Sequence, residues 1–122
     1  MEETNPSISV TAEGDVLLVA FLQNELIELK YLDEAYETIC RLIQDRTQPK
    51  IVLDMGNITY LSSSGLGMLV KLIKSLGKSG GRLCFANPCE RLTEIFETAS
   101  LDQIVSLCAS TEEALAVLRD ST

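Results

Sequence analysis

The 122-residue sequence contains no histidine and no tryptophan, and only 5% of its residues are aromatic. Without histidine a Ser-His relay cannot be built, and a zinc site would have to be made from cysteine alone. The four cysteines, Cys40, Cys84, Cys89 and Cys108, sit in apolar or amphipathic runs with no close CxxC pair. They are expected as small buried or half-buried thiols, with neither metal nor disulfide. The shortage of aromatics leaves Leu, Ile, Val and Ala to build the core, as in layered helix-and-sheet proteins. Basic residues are scarce as well: ten Lys and Arg face eighteen Asp and Glu, a formal net charge of -8. That is the wrong sign for holding nucleic acid through its phosphates. Long apolar runs are missing too, since Val16 to Leu22 falls far short of the roughly 20 residues needed to span a bilayer. Met1 is followed by Glu2 and Glu3 where a secretory signal would carry positive charge. These absences predict a cytoplasmic protein with no membrane insertion and no direct nucleic-acid contact.

What is present fits one domain, because 46% hydrophobic residues over this length supply a single core. Residues 1–6 read as a flexible tail, 7–119 as the domain and 120–122 as a second tail. Ile8 and Val10 alternate with polar neighbours, Glu13-Gly14-Asp15 reads as a hairpin turn, and Val16 to Leu22 as the returning strand. From Leu32 the apolar positions Ala35, Tyr36, Ile39, Leu42 and Ile43 follow helical spacing and stop before Pro49. Ile51 to Met55 is a short apolar run suited to a strand buried on both faces. A shorter β segment, Ile58 to Leu61, leads into Ser62-Ser63-Ser64-Gly65.

Leu66, Leu69, Val70 and Ile73 mark a second helix, which Gly77 is expected to end with a left-handed cap. Gly80-Gly81 turns the chain into a strand over Arg82 to Ala86. Asn87-Pro88-Cys89-Glu90 carries a helix-start signature, with Asn87 as the cap. Ile104 to Cys108 reads as the last strand, and Ser110 with Glu113 as a capping box for the last helix. The fold class is therefore α/β: a mixed, largely parallel sheet of four to five strands packed by about four helices.

The segment Asp54-Met55-Gly56-Asn57-Ile58-Thr59-Tyr60-Leu61-Ser62-Ser63-Ser64-Gly65-Leu66-Gly67 brings hydroxyls from a strand end to a helix N-terminus. The first turn of a helix has free N–H groups and partial positive charge, which suit a hydroxyl cap and, better, an added phosphate. Three serines exceed the needs of one cap, and Gly65 and Gly67 suit either close approach by a partner or a tight turn. Enzyme motifs fail on the letters. A nucleophile elbow needs Gly two residues to each side of its Ser, and Ser63 has Leu61 and Gly65 there. Gly77-Lys78-Ser79 lacks the upstream Gly of a phosphate loop and ends a helix. Asp54 has no acidic companions for a metal-dependent phosphoacceptor. No catalytic residue, metal ligand or cofactor is expected.

This segment resembles the STAS family, specifically the bacterial anti-sigma factor antagonists, whose signature runs Asp, several residues, an apolar pair, then Asp-Ser-Ser/Thr-Gly-Leu-Gly. Asp54 matches the leading Asp, Ile58, Tyr60 and Leu61 the apolar positions, and Ser63-Ser64-Gly65-Leu66-Gly67 the serine turn. Looser similarity runs from about Ile8 to Leu118. The resemblance implies a STAS-like fold and a non-enzymatic regulator of transcription that acts through protein binding. It implies that Ser63 is phosphorylated by an anti-sigma factor that is also a serine kinase, and dephosphorylated by a serine phosphatase. It places the partner-binding face at Asp54, Tyr60, Ser62, Ser63, Ser64, Gly65, Leu66, Gly67 and Met68. Two departures stand out: Ser62 replaces the family's Asp before the phosphoserine, and Phe21-Leu22-Gln23-Asn24-Glu25-Leu26 replaces a common Gly-x-Leu-Asp pattern. Either the kinase differs, or the switch is weakened or lost while partner binding survives. The alternative is a STAS sensor or scaffold whose helix N-terminus binds a nucleotide or lipid head group. Nothing in the sequence sets the oligomeric state.

Overall fold

The computed structural model describes residues 2–4 and 8–119. Met1, residues 5–7 and residues 120–122 lie outside the described residues, and with them the expected C-terminal tail. The elements in chain order are β1 (Glu2–Thr4), β2 (Ile8–Glu13), β3 (Val16–Phe21), β4 (Glu25–Leu26), α1 (Leu29–Gln44), β5 (Lys50–Asp54), β6 (Tyr60–Leu61), α2 (Ser63–Lys78), β7 (Arg82–Ala86), α3 (Glu90–Thr98), a 3-10 turn (Leu101–Gln103), β8 (Ser106–Cys108) and α4 (Thr111–Arg119).

The main sheet has the order β1-β2-β3-β5-β7-β8, and β4 pairs with β6 in a separate two-stranded sheet. β2 and β3 form the expected hairpin, with Glu13 opposite Val16 and Gly14 at φ +66° in the two-residue loop, where primed turns require a positive φ. β3, β5, β7 and β8 are all parallel, joined by helical crossovers, so the sheet is mixed but parallel at its centre. Five of its strands make up the body of the sheet. Glu2–Thr4, expected as part of a tail, lies antiparallel along β2 as a sixth, outermost strand.

The two faces of the sheet are separated by the period of 2 along each strand. Leu17, Val19, Ile51, Leu53, Leu83 and Phe85 face the larger core with residues of α1, α2 and α3. Phe96 of α3 packs its ring on Phe85 with centroids 5.0 Å apart. Val16, Val52, Cys84, Ala86 and Cys108 face the other way, where Ala114 and Leu118 of α4 cover them. The consecutive burial of Ile51, Val52 and Leu53 is the expected mark of a central strand clad on both faces.

Several local expectations are corrected. α2 continues through Gly77 to Lys78, and the left-handed residue is Gly80, at φ +71°. There the N–H of Gly81 bonds Leu76 O at 2.7 Å and the N–H of Gly80 bonds Gly77 O at 3.2 Å, the paired bonds of a Schellman cap. Asn87 does not cap α3, whose cap position is Cys89. Asn87 sits at φ +59° and gives its side-chain amide to Asp54 instead, a tertiary partner that the local pattern could not reveal. The last strand begins at Ser106, while Ile104 ends the 3-10 turn and is 62% exposed. Ser110 accepts from the N–H of Glu113 at 3.1 Å, as a capping serine should. Of the cysteines, Cys84 and Cys108 are buried, Cys40 is half-buried and Cys89 is exposed, against expectation; all four are free thiols.

Candidate functional site

Parallel strands deliver their loops to one end of the sheet, and β5 ends there with Asp54. One oxygen of Asp54, Oδ1, accepts from the N–H of Gly56 at 2.9 Å and from Asn87 Nδ2 at 3.1 Å. The first bond closes a local turn and the second ties the ends of β5 and β7 together. Asn57 extends the brace by donating Nδ2 to Phe21 O at the end of β3, at 3.2 Å. Asp54 and both asparagines thus hold the loop before the serines in place.

The chain then forms β6, which pairs with β4 through Glu25 opposite Tyr60 and Leu26 opposite Leu61. β4 was not foreseen. The residues around it carry no period of 2 or 3.6, and among the described residues its partner is another two-residue strand. Leu26 O is the anchor of the corner, accepting from Ser62 N–H at 3.0 Å and from Ser62 Oγ at 3.2 Å. Ser62 is also the N-cap of α2, its Oγ accepting from the N–H of Gly65 at 3.1 Å. One hydroxyl therefore closes the helix start and fastens it to β4.

That assignment separates the three serines. Ser63 and Ser64, the first two residues of the helix, are exposed. Their N–H groups have no carbonyl four residues back within the helix, as in every first turn, and no acidic residue stands in that turn. The two glycines separate as well. A Cβ on Gly65 would collide with Leu26 O, so Gly65 is required by packing. A Cβ on Gly67 would meet nothing within 4 Å. Gly67 is exposed four residues after Ser63, on the same side of the helix, and keeps the surface beside it low.

The remaining expected site residues divide between surface and core. Tyr60 is 41% exposed, Leu66 is partly buried against the core, and Met68 is only 5% exposed. Met68, expected on the partner-binding face, is turned inward, following the period of a helix whose buried side carries Gly65, Met68, Leu69 and Leu72. The nearest downstream cation, Lys71, places Nζ over the ring of Tyr36 on α1, 4.3 Å from its centroid, and Tyr36 bonds Ser75 at 2.8 Å. Lys71 thus serves the α1–α2 contact.

The buried thiols lie away from this corner, on the α4 face. Cys84 is pushed up from 9.0 to about 11 by burial and then by the neighbouring Cys108 thiol. Cys108 is also raised, by burial and then by Glu113. Both are protonated, unreactive thiols at neutral pH. Among the described residues no group of three His, Cys, Asp or Glu is placed to hold a metal ion, and no helix is long and apolar enough to cross a membrane.

The STAS domain model matches residues 9–114. The anti-sigma-B factor antagonist of Bacillus subtilis is 36% identical over 110 residues, which are 90% of this chain and 87% of that protein. A Thermotoga maritima protein named as an anti-sigma factor antagonist is 30% identical over 70 residues, 57% of this chain and 62% of that protein; the match to a Thermotoga neapolitana homologue likewise covers 58% of it. Among solved structures, the anti-sigma factor antagonist SpoIIAA in its unphosphorylated form superposes with a TM-score of 0.77 at 18% identity, covering 95% of this chain and 99% of that one. A murine Slc26a9 anion transporter matches with a TM-score of 0.76 at 14% identity, over 91% of this chain but 19% of the transporter. At such identities the likeness describes the fold, and the fold serves more than one role.

Proposed function

The chain belongs to the STAS domain family, and we propose that it acts there as an anti-sigma factor antagonist, regulating transcription by binding an anti-sigma factor through the Ser62–Gly67 corner. In this reading the partner is also a serine kinase, Ser63 is the phosphoacceptor, and a serine phosphatase reverses the modification in the same cytoplasm. The chain itself catalyses nothing. One observation carries the choice of Ser63 over Ser62: Ser62 has already taken the capping role, with bonds to Gly65 N–H and Leu26 O, while Ser63, like Ser64, is exposed near the open surface of Gly67, and Ser63 is the position that matches the modified serine of the family pattern. Its hydroxyl can be modified without undoing the fold.

The geometry also accounts for the replacement of the family's Asp by Ser62. Serine and aspartate are comparably good N-caps, so the structural half of that position is kept while its fixed charge is lost. A phosphate on Ser63 adds a charge of roughly -1.5 to -2. It would sit against the first-turn N–H groups and the positive end of the α2 dipole, which favours it locally. At a docked interface the same charge imposes desolvation and repulsion, so phosphorylation releases the partner.

The test is intact-mass analysis of the purified protein after incubation with an anti-sigma factor kinase from its own host and ATP, repeated with Ser63→Ala. An 80-dalton addition on the native protein that is absent from the variant is expected. An addition mapped to Ser64, or none with a kinase that binds the chain, would remove Ser63 from this role.

A further inference from the structure

Charge is unevenly shared along the chain. No Asp or Glu occurs from residue 55 to residue 89, a stretch that holds Lys71, Lys74, Lys78 and Arg82, whereas the rest of the sequence carries all eighteen acidic residues against six basic ones. Helix by helix, α2 has three Lys and no acidic residue, while α1, α3 and α4 each have more Asp and Glu than Lys and Arg. Lys74, Lys78 and Arg82 are exposed and form no ion pair among the described residues. The helix dipole explains only part of this. It favours cations in the last turn, where Lys78 stands, but it equally favours acids in the first turn, where α2 has none.

A second observation falls at the same place. Gly77, three residues after Lys74 and next to Lys78, is helical and exposed, and a Cβ there would meet nothing within 4 Å. Glycine inside a helix is less stable than alanine, and here neither a positive φ nor a close approach within the fold requires it. Gly77 and Arg82 line a cavity of about 400 Å³ together with Ile73, Asp102 and Ile104, and Ile104 is 62% exposed. This end of α2 lies roughly 20 Å from Ser63 by helical rise.

We propose that the C-terminal end of α2 is a docking surface, separate from the serine turn, for an acidic segment of a further protein. Its carboxylates would meet Lys74, Lys78 and Arg82, its backbone would pass over Gly77, and an apolar residue beyond them would rest on Ile104. Charge complementarity selects the partner's sign. The shape of the patch selects a narrow partner over a membrane. α1 and α3 cover the same face of the sheet as α2 and expose Asp33, Glu37, Glu94 and Glu97, so a broad anionic surface would be repelled by them, whereas a single segment can follow α2.

The experiment is a fluorescence-anisotropy titration of the full chain with a labelled helical peptide that carries Glu on one face at three- and four-residue spacing and a Leu past the last of them. Binding by the native chain is expected at low salt and should weaken at high salt. Reversing all three charges, by Lys74→Glu, Lys78→Glu and Arg82→Glu together, is expected to raise the Kd tenfold or more. Arg91→Glu with Arg119→Glu, reversing exposed charges on α3 and α4, should change it less than twofold. Gly77→Gln is expected to raise the Kd several-fold while raising the melting midpoint, a combination that a purely structural role for Gly77 would not produce. If the native chain does not bind the peptide, or if the triple and double reversals lose affinity alike, the attraction is not localised on α2 and the inference is overturned. Binding of the native chain to anionic phospholipid vesicles through the same three cations, without binding to the peptide, would overturn it in favour of a membrane.

Discussion

The two ends of α2 are made from the same materials, serines and glycines around a helix terminus, and they use them differently. At the C-terminal end Ser79, Gly80 and Gly81 are engaged in closing the fold. Ser79 Oγ bonds Ser75 O, Gly80 takes the left-handed turn, and a Cβ on Gly81 would lie 2.6 Å from Pro49 O. At the N-terminal end Ser62 and Gly65 do the same work, with Gly65 as tightly held as Gly81. Ser63, Ser64 and Gly67 have no such duty. Composition alone does not distinguish these ends; the distinction comes from which groups the neighbouring backbone occupies, and groups without a structural duty are where function is to be sought.

Alanine substitutions break the comparison open. Gly65→Ala forces its methyl group against Leu26 O, so β4 must shift and the Ser62 bonds with it. The expected loss is about 2 kcal/mol, overpacking outweighing the gain in helix propensity, measured by urea unfolding. Gly81→Ala should lose a similar amount against Pro49 O. Gly67 and Gly77 provide the opposite case, since both are helical and open at the Cβ position. Each Gly→Ala change there is expected to stabilise by about 0.5–1 kcal/mol. Only Gly67→Ala should also weaken the anti-sigma factor, which a calorimetric titration of both variants would reveal. Equal binding by the two would mean that the open surface beside Ser63 is not used.

The same contrast explains what could be read from the sequence. Elements with their own period were legible: the stripe from Leu32 to Ile43, the doubly buried Ile51-Val52-Leu53, and the alternation of the β2–β3 hairpin. The serine turn was legible as a helix start because capping is local. What escaped is whatever is settled by a partner distant in the chain. Asn87 reads locally as a cap, but Asp54, 33 residues earlier, takes its side chain. Gly77 reads as a helix end, yet the Gly80-Gly81 pair closes a further turn with bonds to Gly77 and Leu76. Glu25–Leu26 has no strand pattern, and exists as one because Tyr60–Leu61 runs beside it.

A smaller effect separates the two duties of position 62. Ser62→Ala removes the Gly65 cap and the bond to Leu26 O, and should cost about 1 kcal/mol in urea unfolding. Ser62→Asp keeps a cap and should change stability by a few tenths of a kcal/mol at most, while restoring the negative charge found there in the family pattern. If that charge helps the kinase recognise the turn, phosphorylation of Ser63 should be faster in Ser62→Asp than in the native chain, followed as phosphate incorporated over time. An unchanged rate would show that the cap, and not the charge, is what the position must supply.

The smallest effect near neutral pH belongs to the α4 face, which contrasts with the serine corner in being buried packing. Burial favours the neutral thiol of Cys84, raising it from 9.0 to about 11, so the fold binds that proton more tightly than the unfolded chain does. The resulting stability is complete below the unfolded value and is lost as pH rises through about 11. Cys108, raised in the same direction, adds to this alkaline loss. Cys84→Ala gives up packing at every pH but removes one buried thiol from the titration. The native chain should therefore lose stability more steeply than Cys84→Ala between pH 9 and 11, as seen in urea midpoints across that range, while the difference between them stays constant from pH 6 to 8. Parallel curves throughout would mean that the thiolate is accommodated, and that α4 is held more loosely over Cys84 and Cys108 than its contacts with Ala114 and Leu118 imply.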